Sequence, residues 1–127
     1  MNADKNVGSI DPVGELVEVA AEIFAMLADA TRIRIILALT NTELAVNQIA
    51  EAVDKPQAAV SQHLAKLRLA RIVATRREGT RVFYRLANEH ARQLVADAVF
   101  QAEHALEYLP SHHRTSRATI AGGRDTE

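Results

Sequence analysis

Five histidines and no cysteine set the range of chemistry open to this 127-residue chain. Without thiols there is no disulfide and no thiolate metal site. Imidazoles and carboxylates remain, and such N/O donors suit nickel, cobalt or zinc better than soft ions. Four of the histidines, His90, His104, His112 and His113, lie at or beyond the last apolar-periodic segment; His63 stands apart in a basic stretch. On a helix turning about 100° per residue, His90, Asp97, Gln101 and His104 fall within about 60° of one another. His90 and His104 are then about 21 Å apart along the axis, so one helix cannot bring both to one ion. Two antiparallel copies crossing near Asp97 would set His90 of one beside His104 of the other. A site so built exists only in a dimer, twice by symmetry.

A second set of residues suits nucleic acid. Net charge is −1, but it is unevenly distributed. Residues 1–54 carry nine acids and three bases, residues 55–85 eight bases and one acid, and residues 86–127 six acids and four bases. A single basic block in an otherwise acidic chain is the footprint of a DNA-reading element. Within it Gln57, Ser61, Gln62, His63, Lys66 and Arg68 fall opposite Val60, Leu64 and Leu67 on a predicted helix. Such side chains can bond base edges or phosphates from the major groove. Arg76, Arg77 and Arg81 flank Gly79, where a hairpin tip would offer them to phosphates or the minor groove. An enzyme is not expected: there is no HExxH, no Gly-rich phosphate loop and no nucleophile–base pair.

The elements that must position these residues follow from periodicity. Residues 1–11 read as a flexible tail. Val13, Leu16, Val17, Ala20, Ile23, Phe24 and Leu27 form a 3.6-residue stripe, with Asp11 as cap and Pro12 as first helical residue. Asp29 or Thr31 caps a second helix through Leu39, and Val46, Ile49, Ala50 and Val53 mark a third. Asp54-Lys55-Pro56 turns the chain into the fourth. The period then drops to two: Ile72–Arg76, a turn at Glu78-Gly79-Thr80, and Arg81–Leu86 predict a β-hairpin. A last helix runs from about Glu89 to Leu109 and stops at Pro110. Residues 12–110 are thus one domain, mainly α with a small β-hairpin wing in the order α-α-α-α-β-β-α, and residues 111–127 a histidine-containing tail.

Three segments carry a resemblance. Phe24-Ala25-Met26-Leu27-Ala28-Asp29-Ala30-Thr31-Arg32-Ile33-Arg34 resembles the opening of the ArsR/SmtB regulators. Val60-Ser61-Gln62-His63-Leu64-Ala65-Lys66-Leu67-Arg68 resembles their recognition helix, and Arg76-Arg77-Glu78-Gly79-Thr80 with Tyr84-Arg85-Leu86 their wing. The resemblance spans about residues 13–113. It implies a winged helix-turn-helix homodimer, joined through its first and last helices, that binds double-stranded operator DNA and lets go when an inducer binds. The family's usual last-helix ligands fall here on Asn88, His90, Gln101 and His104, two of them weak donors. The last helix and tail are more similar to a cysteine-free, nickel- and cobalt-responsive branch. That resemblance implies His90, Glu103, His104, His112 and His113 as metal ligands, with nickel or cobalt as inducer and zinc as a further possibility.

DNA-binding residues are accordingly expected at Gln57, Ser61, Gln62, His63, Lys66, Arg76, Arg77 and Arg81. A winged-helix regulator indifferent to metal is the alternative reading, and calorimetry with nickel, cobalt and zinc separates the two. No apolar run approaches the roughly 18 residues of a membrane span, and the acidic N-terminus lacks a signal-peptide layout, so a cytoplasmic location is expected.

Overall fold

A computed structural model describes residues 9–108 of the chain. Five helices and three strands follow in the order α1 (Glu15–Leu27), α2 (Ala30–Ala38), β1 (Leu44–Ala45), α3 (Val46–Val53), α4 (Gln57–Leu69), β2 (Val73–Glu78), β3 (Arg81–Leu86) and α5 (His90–Glu107). The chain divides into two units, one ending at Arg92 and the other beginning at Gln93, so α5 crosses the boundary.

In the first unit, α2, α3 and α4 enclose the core. Ile35, Ile36 and Leu39 meet Ile49, Ala50 and Val53 across from Val60, Leu64 and Leu67, and all nine are buried. Each set recurs at helical spacing, and burying one Leu or Ile contributes about 1.5–3 kcal/mol. Asp29 begins α2 by accepting the Arg32 backbone N–H at 3.0 Å. Asp54 ends α3 in the left-handed region at φ 58°, which lets Lys55 N–H reach the Ala50 carbonyl at 3.1 Å. The chain thereby turns sharply from α3 into α4, the turn of the helix-turn-helix.

Two boundaries and one strand differ from the sequence expectation. Helix α1 opens at Glu15, not Pro12. The Asp11 carboxylate takes Val13 N–H at 3.1 Å and its carbonyl takes Gly14 N–H at 3.1 Å, closing a separate turn ahead of the helix. The wing hairpin is tighter than expected, because Glu78 pairs with Arg81 and leaves only Gly79 and Thr80 in the loop. Gly79 holds φ 62°, which glycine adopts without penalty. The wing is also wider than a hairpin. Leu44 and Ala45 pair antiparallel with Tyr84 and Phe83, giving a three-stranded sheet in the order β1-β3-β2.

Candidate functional site

Burial of Val60, Leu64 and Leu67 turns Gln57, Ser61, Gln62 and Lys66 outward, and all four are exposed. His63 sits at the edge of this face. Its Nδ1 accepts from Arg32 Nε at 3.1 Å, and its side chain is 23% exposed. Arg32 also donates through Nη1 to the Met26 carbonyl at 3.0 Å, so one guanidinium joins the end of α1, the start of α2 and the middle of α4. Asp29 is held below the ordinary aspartate range, first by the Arg32 backbone N–H.

The strand register separates the wing arginines. Arg76 pairs with Phe83 and Glu78 with Arg81, so all four share one face of the sheet, while Arg77 shares the other with Tyr84. Tyr84 lines a cleft with Ser61, Ala65 and Arg68 of α4, so Arg77 lies on the recognition-helix face of the wing. Arg77 has no side-chain hydrogen bond or ion pair among the described residues. Arg76 is heavily engaged. Glu43 takes its Nε at 2.9 Å and its Nη2 at 2.9 Å, and Glu78 takes Nη1 at 3.2 Å. That pairing holds the Glu43 carboxyl below its ordinary value and raises Arg76 above its own. Arg76 and Arg81 also lie over the Phe83 ring, 4.8 and 5.1 Å from its centroid, and Arg81 donates to Asn47 Oδ1 at 3.4 Å. These are cation–π contacts.

On α5, His90, Glu103 and His104 are exposed. Asn88, which falls at a family ligand position, uses its Oδ1 to accept the His90 N–H at 2.9 Å, so it shapes the start of the helix. His104 stands edge-on to Tyr108, with centroids 4.9 Å apart, and its Nδ1 is 3.8 Å from Glu107. Among the described residues no three His, Asp or Glu side chains converge on one point. His112 and His113 lie outside the described residues.

Sequence reasoning missed Arg32, Glu43 and Asn47. Arg32 stood within the quoted Asp29-Ala30-Thr31-Arg32 segment, but its partner lies 31 residues away. No local pattern indicates the partner of Glu43, which lies 33 residues away in β2.

Helix-turn-helix and sheet together make a winged helix-turn-helix, the class of DNA-binding transcriptional regulators. The model of the bacterial regulatory protein, arsR family, matches residues 29–75, from the Asp29 cap through α4 into β2. The HTH-type transcriptional regulator KmtR of Mycobacterium tuberculosis is 61% identical over 95 residues, covering 75% of this chain and 73% of that one. The HTH-type transcriptional repressor SmtB of the same species is 40% identical over 91 residues, covering 72% and 67%. Among solved structures, the homodimeric winged helix-turn-helix DNA-binding domain of a possible ArsR-family regulator from Mycobacterium bovis superposes with TM-score 0.67. It is 34% identical, covering 84% of this chain and 99% of that one. The chain belongs to the arsR family of bacterial regulatory proteins. Its relatives and its fold are those of transcriptional regulators, not enzymes.

Proposed function

We propose that this chain is a metal-responsive repressor that holds operator DNA as a homodimer and releases it when nickel or cobalt binds, zinc being a further inducer. On this reading residues 12–110 form the working domain, residues 1–11 and 111–127 are its tails, and the protein acts in the cytoplasm. The observation that carries the DNA half is the exposed row Gln57, Ser61, Gln62 and Lys66 on a helix whose inward residues Val60, Leu64 and Leu67 are fully buried. Gln57, Ser61, Gln62 and His63 read bases in the major groove, Lys66 bonds base edges or phosphates, and Arg76, Arg77 and Arg81 mainly hold the backbone.

The donors on α5 fit a borderline transition metal in kind but not within one copy. His90, Glu103 and His104 offer two imidazoles and a carboxylate, and among the described residues of one copy no three donors converge. A second antiparallel α5 would supply what is missing, and His112 and His113 would serve as further ligands. The apolar residues favour such a pairing. Leu94, Val99 and Leu106 on α5, and Val13, Leu16, Val17, Val19 and Phe24 in and just ahead of α1, remain exposed. The metal would supply charge and fixed geometry across the dimer helices. His90, Glu103 and His104 would hold it there, and a dimer so constrained would no longer match the operator.

The test is a metal titration of the protein–DNA complex followed by fluorescence anisotropy. Nickel or cobalt should lower DNA affinity by a coupling of about 1–3 kcal/mol, and DNA should weaken metal binding by the same factor. His104→Ala should stay on DNA whatever the metal. If nickel, cobalt and zinc all leave the wild-type complex intact, the metal response is wrong and DNA binding alone stands.

A further inference from the structure

His63 is on the DNA-facing helix, yet one of its ring nitrogens is already committed. A neutral imidazole has one donor and one acceptor nitrogen, and the partner of either decides which is which. Arginine only donates and never loses its charge. With Arg32 Nε 3.1 Å from His63 Nδ1, that nitrogen must offer a lone pair, so the ring proton sits on Nε2.

Arg32 is not free to turn away. Its Nη1 is tied to the Met26 carbonyl at 3.0 Å and touches Met26 Sδ at 3.2 Å. Asp29 does not compete for the ring. Its Oδ1 is 4.0 Å from Nδ1, beyond hydrogen-bond range, and already accepts the Arg32 backbone N–H at 3.0 Å. His63 Nε2 has no hydrogen-bond partner among the described residues, and no unpartnered side-chain nitrogen or oxygen there is buried. It therefore retains access to solvent, on the same helix as the exposed Gln62 and Lys66.

We infer that Arg32 sets the tautomer of His63, so that α4 meets DNA at this position with a hydrogen-bond donor and never an acceptor. This rests on the DNA-reading role proposed above and sharpens it. In the major groove guanine, adenine and thymine each present an acceptor, through N7, O6 or O4, whereas cytosine presents only its amino donor. The base facing His63 is then any of the first three, and cytosine on that strand is rejected. Arg32 is a positioning residue: it never touches DNA, and it acts through the ring it orients.

The ring and the reading can be tested separately. Imidazole ¹⁵N spectra of the full chain, in mildly alkaline buffer without DNA, should show a single Nε2–H tautomer for His63. R32M should show both tautomers. Selection from a random duplex pool then reads the consequence. H63N keeps an acceptor where Nδ1 stood, but its amide N–H ends near the place of the ring Cδ2 and puts no donor where Nε2–H stood. It should match the wild type in thermal stability while losing roughly tenfold discrimination against cytosine at one position per half-site. A merely structural His63 would leave that preference untouched. An Nδ1–H or mixed wild-type ring, or a ring unchanged in R32M, overturns the lock. An H63N protein that selects the same sequences as strongly overturns the donor contact. If the wild type selects no sequence at all, the DNA-reading role itself fails, and the ring spectrum still decides the lock independently.

Discussion

Arg76 and Arg77 are neighbours in the chain and opposites on the sheet. Arg76 meets a bidentate carboxylate from Glu43, whereas Arg77 is exposed and unpaired among the described residues. Each phosphate neutralised by a freely available cation contributes about 0.9 to the slope of log affinity against log salt. Arg77→Ala should therefore flatten that slope by nearly one unit, and Arg76→Ala by clearly less. Glu43→Gln should steepen it, because it releases Arg76. Equal slopes for the two arginine variants would mean that the Glu43 pair opens on DNA. Asp29 gives a second residue-scale prediction. Its carboxylate caps α2, so Asp29→Ala should cost about 1 kcal/mol in urea denaturation at neutral pH. Its folded pKa lies below the unfolded value of about 3.9. The linked stability is therefore complete above that value and disappears as pH falls through the lower, folded one. It is modest, because the side chain is 38% exposed. The wild-type-minus-variant difference should thus shrink in acid; a difference constant down to about pH 2 would contradict the assignment.

At the scale of elements, two backbone positions control how α4 and the wing are presented. Asp54, at φ 58° and ψ 52°, joins α3 to α4 in a conformation that costs a side-chain-bearing residue about 1 kcal/mol or more. Asp54→Gly should raise the melting temperature while leaving DNA sequence preference unchanged. Gly79 is the mirror case. An added Cβ would meet nothing within 4 Å, so Gly79→Ala is penalised by the φ of 62° alone. Its cost should be about 1–2 kcal/mol, felt in the wing turn and visible as faster amide exchange in β2 and β3. The core is less forgiving. Leu64 is fully buried on the inner face of α4, and Leu64→Ala should cost about 2–5 kcal/mol.

For the whole molecule, the question is what covers the exposed apolar residues of α1 and α5. Phe24 is 58% exposed and Leu16 75%, an arrangement costly to leave in water along a whole helix stripe. A second copy is the proposed cover. Val99→Asp or Leu106→Asp should shift sedimentation from dimer to monomer and abolish operator binding with it, since paired half-sites need a protein dyad. A monomer that still held the operator would refute the dimer reading. The proposed metal response belongs to the same scale, because on a helix His90 and His104 lie about 21 Å apart and would share an ion only between copies.

Much of this was legible from local pattern. The apolar spacing marks Val60, Leu64 and Leu67 of α4 and Ile49, Ala50 and Val53 of α3 as buried, since a helix repeats its inward face every 3.6 residues whatever it packs against. On α2 it marks Ile33, Ile36, Leu37 and Leu39, whereas the structure buries Ile35, Ile36 and Leu39 and leaves Leu37 exposed. The switch to period two places β3 at Arg81–Leu86, as observed. The eight bases of residues 55–85 fall on α4 and the wing, and their charge density needs no fold to be counted. Tertiary structure decided the rest. Alternation in a strand says that Arg76 and Arg77 face opposite ways, but only the pairing of β1 with β3 says which of them meets an acid. Asp11 looked like a helix cap until its hydrogen bonds closed a turn of their own. His63 read as one more polar residue on α4; the guanidinium that orients it comes from α2, 31 residues earlier. Periodicity reports which face of an element is buried. Which partner waits at that face depends on contacts between distant segments, and those exist only once the helices have packed.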